Sequence, residues 1–390
     1  MPDWPILRVG FRPFFLLAMA VSVFLMGAWL MVTQTGARLP AFRIGSSVWW
    51  HAHEMIYGYA LAAAAGFLLT AVRNWTGRPT AHGLPLALLV LLWLLGRALP
   101  WLPGESAGWW LGACADLLFI AFLSWAVLTP LVRERAWARL GIVSKIAFFL
   151  PGQALFMLGA AGRLDDGERM GVMVGLYMLL SLMLVLARRL LPMFIARATG
   201  AEHLKQRRWV DAGCFALFLV FAVIEVFDPG STWGTALAAA LAVLHGIRLA
   251  GWHDRAIWRM PMLWVLYIAY AWMIVGFLLR VGQGAWGLPA SLAIHAFTVG
   301  GIGMMTMGMM SRVTLGHTGR VVMSPPRLVP WAFALVLAAA IVRVAGPMWF
   351  PSWVQEALAA AQAAWMAAFA LALAALGPML WRERADGRWG

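Results

Sequence analysis

Long apolar runs alternate with short polar segments along the whole chain. The runs are continuous Leu, Ala, Val, Met, Phe and Trp with no alternation of period two, so they predict helices and not the strands of a membrane barrel. Twelve spans follow: 14–32, 51–71, 84–100, 108–128, 144–161, 170–191, 210–227, 232–250, 261–281, 290–311, 328–346 and 352–381. A hydrocarbon core of about 30 Å takes roughly 20 helical residues; the third and fifth spans are short and the last is long enough to tilt. Breakers separate the spans, among them Arg38 to Pro40, Gly77-Arg78-Pro79, Pro103-Gly104, Asp228-Pro229-Gly230 and Ser324-Pro325-Pro326. The predicted fold class is all-α, a polytopic transmembrane helix bundle, with 1–390 forming a single integral membrane domain.

Composition strengthens this picture. Of 390 residues 63% are hydrophobic and only 12% charged, and the mean hydropathy is +0.80. A soluble domain carries about 25% charged residues, so most of this surface faces something other than water. A net charge of +14 could suggest nucleic acid, but the basic residues are scattered through the loops. With the amino end inside, 23 of the 30 fall on the cytoplasmic side, the bias that orients membrane proteins. Both ends of the chain are then cytoplasmic and nucleic acid is not a partner. The first apolar run follows Arg8 and Arg12 as a signal sequence would, but it has no convincing cleavage site and is expected to be retained. Trp outnumbers Tyr 24 to 5, and Trp49, Trp50, Trp109, Trp110, Trp349 and Trp353 sit at span ends, as in an interfacial belt.

The candidate chemistry is histidine. Cys114 and Cys214 lie in separate spans with no CxxC or CxxCH, which excludes a thiolate zinc site and covalent haem attachment. His82, His203, His253 and His317 fall in predicted cytoplasmic loops. His51 and His53 open the second span, and His295 opens the tenth, which runs the same way. Three imidazoles at one depth suit iron, copper or zinc. On a helix, positions i and i+2 point about 200° apart. Either His51 precedes the helix, or the two histidines serve separate sites. His53, Tyr57 and Ala60 share one face; His51, Met55 and Tyr59 share the other. Small residues at Ala60 and Ala62 to Ala65 either leave room for a flat ligand or permit close packing. The methionines between Met304 and Met310 are soft donors by chemistry and flexible filler by habit.

A polar group gathers on the cytoplasmic side: Arg12 before the first span, Arg73 and Asn74 after the second, and Ser311 to Arg320, with His317, after the tenth. Its arginines either bind an anion such as a haem propionate or anchor the interface, and His245 is a possible addition. The buried acids Glu54, Asp116 and Glu225 either carry protons or orient a neighbour.

Trp50-His51-Ala52-His53-Glu54-Met55 with Gly58, Gly66 to Val72, and Asn74-Trp75-Thr76-Gly77 together resemble the NnrS family. So do Phe11-Arg12-Pro13-Phe14-Phe15, His295-Ala296-Phe297-Thr298-Val299-Gly300 and Leu315-Gly316-His317-Thr318-Gly319-Arg320. The resemblance covers nearly the whole chain. It implies a bacterial inner-membrane protein of twelve spans that contains haem and copper and is linked to nitric oxide metabolism and nitrosative-stress resistance during denitrification. His51, His53, His295 and His317 lie inside matching motifs and become the candidate metal ligands. Arg12 and Tyr57 join His51, His53 and His295 as candidate residues around a non-covalent, b-type haem. The chain departs from the family pattern at Arg73, where Pro is expected, and at Tyr267, where many members have His.

Three functions compete. The first is binding or detoxification of nitric oxide at a histidine-ligated centre. The second is outright nitric oxide reduction, with electrons from a quinol or a redox protein. The third is transport of copper, haem or an iron-nitrosyl species, though no repeated pair of Gly/Pro-broken helices marks an inverted-repeat transporter.

Overall fold

A computed structural model describes residues 4–39, 46–102 and 106–390. The predicted breakers at Pro40 and at Pro103-Gly104 lie outside these residues. No strand occurs among the described residues, and twelve helices are long and apolar enough to cross a membrane. They are α1 Phe11–Thr35, α2 Ser47–Thr76, α3 Leu84–Trp101, α4 Ala107–Arg133, α5 Trp137–Ala160 and α6 Gly167–Thr199. The remainder are α7 Arg208–Phe227, α8 Thr232–Gly251, α9 Pro261–Trp286, α10 Ala290–His317, α11 Leu328–Trp349 and α12 Pro351–Trp381. Every predicted span is present, and the chain is a multi-pass membrane protein.

Several helices outrun their apolar cores, because a charged residue does not end a helix. Glycine does so where the backbone must turn left-handed. Gly36 (φ 67°) and Gly77 (φ 70°) stop α1 and α2, each returning its N–H to a carbonyl four residues back. The extension moves three residues expected outside the spans. Arg12 is buried in the first turn of α1, Arg73 lies in the last turn of α2, and His317 ends α10 instead of occupying a loop.

The chain divides into two compact units. Unit one comprises Met1–Leu179, Val313–Arg320 and Ala372–Gly390; unit two comprises Leu180–Arg312 and Val321–Leu371. Helices α6, α10 and α12 contribute to both. In unit one α2 packs on α1 and α4, and α4 also packs on α3 and α5. A Cβ at Gly66 would come within 2.8 Å of the Phe15 ring, so α1 and α2 meet backbone to ring. Ala60 to Ala65 are all buried, with α1 and α4 against this helix, which is the close-packing alternative. In unit two α8 packs between α7 and α9, and α9 and α11 pack on α10. Phe277 makes edge contacts with Phe218, Phe221 and Phe297 at its core. Met304, Met305, Met307 and Met310 are buried.

The tryptophan belt needs partial correction. Trp349 and Trp353 are exposed, as are Trp233 and Trp286, which suits a lipid interface. Trp50 and Trp109 are buried instead. Trp50 packs with Leu25, Trp29 and Trp101, and Trp109 packs with Ala113, Phe156 and Val172. Their bulk fills gaps between helices that the sequence positions alone do not reveal.

Candidate functional site

The histidines of α2 sit at a change of helix type. Ser46 caps the helix by accepting from the Trp49 N–H (3.2 Å), and α-helical geometry holds through His53. Glu54–Ala60 is then a π-helix before α-geometry resumes at Leu61. In α10 the same switch follows His295: Ala296–Gly303 is π-helical. A π segment carries an extra residue per turn, breaks the regular ladder and recurs at functional sites. Its loosened backbone needs partners, and the indole Nε1–H of Trp93 on α3 donates to the Gly58 carbonyl (3.1 Å).

His51 is helical, which leaves separate environments for the two histidines of α2. His51 is half-buried and stacks on Trp29, with ring centroids 4.5 Å apart and planes within 6°. His53 is buried between Tyr57 (4.7 Å) and Phe156 (4.3 Å). The contact with Tyr57 matches the shared face expected from sequence. The Tyr57 hydroxyl donates to the Gly171 carbonyl of α6 (2.7 Å).

Both ring nitrogens of His53 face side-chain oxygens: Nδ1 meets Glu54 Oε1 at 3.2 Å and Nε2 meets Gln153 Oε1 at 2.7 Å. Each ring nitrogen is donor or acceptor according to the tautomer, and the Gln153 amide can meet either role. Glu54 Oε2 lies 2.8 Å from Arg97 Nε of α3, an ion pair by distance but not aligned as a hydrogen bond. Arg97 also donates to the Asp116 carboxylate of α4. All four ionisable side chains are buried. Glu54, Arg97 and Asp116 thus meet beside the His53 ring, and pairing offsets part of the cost of burying charge. Space for the cluster comes from Gly96, where a Cβ would strike the Asp116 carboxylate. Both ring nitrogens of His53 are engaged by side chains of the protein itself.

His295 is placed differently. Its Nδ1 lies 2.6 Å from the Ser291 carbonyl, so that nitrogen carries the proton and Nε2 carries the lone pair. Histidines that ligate metals usually donate their other N–H in this way. His295 belongs to unit two, whereas His51, His53 and His317 belong to unit one. Among the described residues no three His, Cys, Asp or Glu side chains gather to hold a metal ion.

The polar group of Arg12, Arg73, Asn74 and His317 is assembled in unit one, with a member that sequence reasoning missed. His317 Nε2 lies 3.5 Å from Asn74 Nδ2, and its ring packs beside Phe11. The segment after α12 folds over it: Arg384 donates to the His317 carbonyl (2.9 Å), Ala385 N–H donates to the Thr318 carbonyl (3.0 Å), and Arg73 lies over the Trp389 ring. Arg12 spends its guanidinium on backbone oxygens, donating to Leu380 (3.0 Å), Arg382 (2.7 Å) and Gly390 (2.5 Å). These bonds tie it to the end of α12 and the segment beyond, while its Nε–H has no partner. His245 belongs to unit two. There the Tyr270 hydroxyl donates to its Nδ1 (2.5 Å) and accepts from Arg248 (3.1 Å). Glu225 pairs with Arg280 (2.8 Å). Arg97 and Arg280 were legible as lone arginines inside apolar spans, a costly placement that calls for an acid.

Comparison with curated proteins finds no match. The family model described as NnrS protein matches residues 5–384. With the spans, the histidine motifs and this nearly complete match together, the chain belongs to the NnrS family.

Proposed function

We propose that this is a haem- and copper-binding protein of the bacterial inner membrane that meets nitric oxide at a histidine-ligated centre, in nitric oxide metabolism and nitrosative-stress resistance. The observation that carries the proposal is the pair of π segments, each beginning one residue after a motif histidine. Family membership supports the link to nitric oxide. Nitric oxide is small and apolar, so a centre within the spans is reachable through lipid.

The residues fit a haem at His295, whose Nδ1–H is committed to Ser291 and whose Nε2 carries the lone pair an iron needs. Haem iron would supply the binding of nitric oxide. His51, flat against Trp29, is the second candidate ligand. His53 fits a proton-holding role, with Glu54 and Gln153 orienting it and Tyr57 and Phe156 keeping water from its faces. Copper is carried by the resemblance and no ligand is assigned to it; among the described residues no three His, Cys, Asp or Glu side chains gather to hold a metal ion.

The buried cluster favours a second reading, reduction. Two nitric oxide molecules, two protons and two electrons give one nitrous oxide and one water. The cluster of His53, Glu54, Arg97 and Asp116 is a place to hold a proton within the span; a quinol or redox protein would supply the electrons.

The test separates the histidines. His295→Ala and His53→Gln proteins are purified in detergent, and the reduced haem band is recorded with and without nitric oxide. The proposal expects His295→Ala to lose the haem band and His53→Gln to keep it. Retention of haem in His295→Ala, with loss in His53→Gln, contradicts the assignment. Nitrous oxide formation that falls in His53→Gln while haem is retained favours reduction.

A further inference from the structure

Unit two contains a cavity of about 310 Å³ where the α6–α7 connection meets the end of α8. It is lined by Lys205, Arg207, Asp211, Arg248, Gly251 and Trp252, together with a few neighbours. Its volume is at the small end of the range for ligand pockets, but its chemistry is unlike an ordinary apolar pocket.

Three features of the wall agree. The first is charge. Lys205, Arg207 and Arg248 line the cavity against a single acid, Asp211. That carboxylate is already compensated twice, by Arg248 (2.8 Å) and by Arg188 (2.6 Å). The excess is positive and calls for an anion. The second is a set of donors without acceptors. Trp252 is 1% exposed and its indole Nε1–H has no hydrogen-bond partner. Arg248 is 7% exposed; its Nη1 serves Tyr270 and its Nη2 serves Asp211, but its Nε–H has no partner. A buried donor left unmade is costly, and two beside one cavity point to an acceptor that comes from outside the chain. The third is the start of α7. It begins at Arg208 after Arg207, with no side chain capping its first-turn N–H groups, and Val210 and Asp211 of that turn line the cavity. The positive end of a helix adds to the preference for an anion.

The wall is held in place. The Lys205 N–H donates to the Gly251 carbonyl (2.9 Å), which straps the connection to the end of α8. A Cβ at Gly251 would lie 3.0 Å from the Lys205 carbonyl oxygen, so glycine permits that approach. The position is also informative. α6 ends at Thr199, α7 begins at Arg208 and α8 ends at Gly251, so the cavity lies where spans meet the membrane surface. That is the depth of a lipid headgroup, and basic pockets between spans at such a depth bind anionic headgroups.

We infer that this cavity is a binding site for a phosphate oxyanion, recognised by Lys205, Arg207, Arg248 and the Trp252 indole N–H. The phosphate is carried either by an anionic phospholipid or by a free phosphate ion. None of the candidate metal-ligating histidines lines the site; its Arg248 is linked through Tyr270 to His245.

The experiment is a titration of the full chain, delipidated in detergent, followed by native mass spectrometry with phosphatidylglycerol. A parallel equilibrium dialysis uses radiolabelled inorganic phosphate. The variants are Trp252→Phe, which keeps a large ring but removes the N–H, and the double variant Lys205→Gln/Arg207→Gln. Both basic positions are exposed, so the double variant leaves folding intact. Arg133→Gln, on exposed surface in unit one, is the control. A hydrogen bond to a charged group sets the expected loss at about tenfold for Trp252→Phe, and at least as much for the double variant. Saturable binding of phosphatidylglycerol that weakens in both variants but not in the control supports the site with a lipid source. Saturable binding of inorganic phosphate with the same sensitivity supports it with a free-ion source. Binding of neither probe, or binding that is the same in wild type and the double variant, overturns the inference.

Discussion

Replacing Arg97 by Met tests whether the buried charges of unit one act as a single set. Arg97 is the one guanidinium between Glu54 and Asp116, and all three side chains are at most 8% exposed. Methionine has similar length and no charge, so packing changes little. Two buried carboxylates would then lie close together with no guanidinium between them. Removing one partner of a buried pair costs about 3–5 kcal/mol. At about 2–4 °C per kcal/mol for a unit of this size, the midpoint of thermal unfolding falls by about 6–20 °C. Asp116→Asn and Glu54→Gln, by contrast, each leave Arg97 one carboxylate and cost about 1–2 kcal/mol. Combining Arg97→Met with both neutral substitutions removes every stranded charge and recovers most of the loss, since neutral replacement of a buried ionic set is often tolerated. Intrinsic tryptophan fluorescence of detergent-purified protein reads the midpoints. A drop of less than a few degrees in Arg97→Met, or a combined variant no better than the single one, refutes the reasoning.

Gly96→Ala drives a methyl into the Asp116 carboxylate and is expected to cost about 1–3 kcal/mol, read as a lower midpoint in the same assay. Trp93→Phe removes the N–H that serves the Gly58 carbonyl in the π segment, at a cost of about 1–3 kcal/mol for the stranded acceptor; an unchanged midpoint would show that this carbonyl needs no partner. The Asp386 carboxyl, which accepts from Arg384 at 2.6 and 2.9 Å, is held well below the usual carboxylate range by those bonds. Its contribution is therefore present above its unfolded pKa of about 3.9 and is lost as pH falls through the lower folded value. The midpoint difference between wild type and Asp386→Asn should be constant from pH 7 to 5 and shrink below about pH 4.

The twelve spans were legible because a bilayer forces long apolar runs and basic loops into the sequence itself. The helix ends were less so: Arg12, Arg73 and His317 look like loop residues by charge, yet the helices carry them until a glycine or a tight turn intervenes. The separation of His51 from His53 followed from helical geometry, and the Tyr57 contact with His53 from the shared face. What sequence could not supply was the partner across the gap. Nothing near Glu54 announces Arg97 or Gln153, which lie on other helices. The π segments also escaped, since one extra residue per turn leaves composition unchanged; Gly58, Gly300, Gly301 and Gly303 within them were the only hint. The segment after α12 was unremarkable as sequence and proved to cover His317.

The central claim is that a haem in this protein meets nitric oxide. The most direct measurement is the optical spectrum and metal content of wild-type protein, expressed with haem supplied, purified and reduced, before and after nitric oxide. The account predicts a haem band that shifts on nitric oxide, with copper present in the same preparation. A colourless, copper-free protein that is folded and unchanged by nitric oxide would contradict it and bring transport to the front.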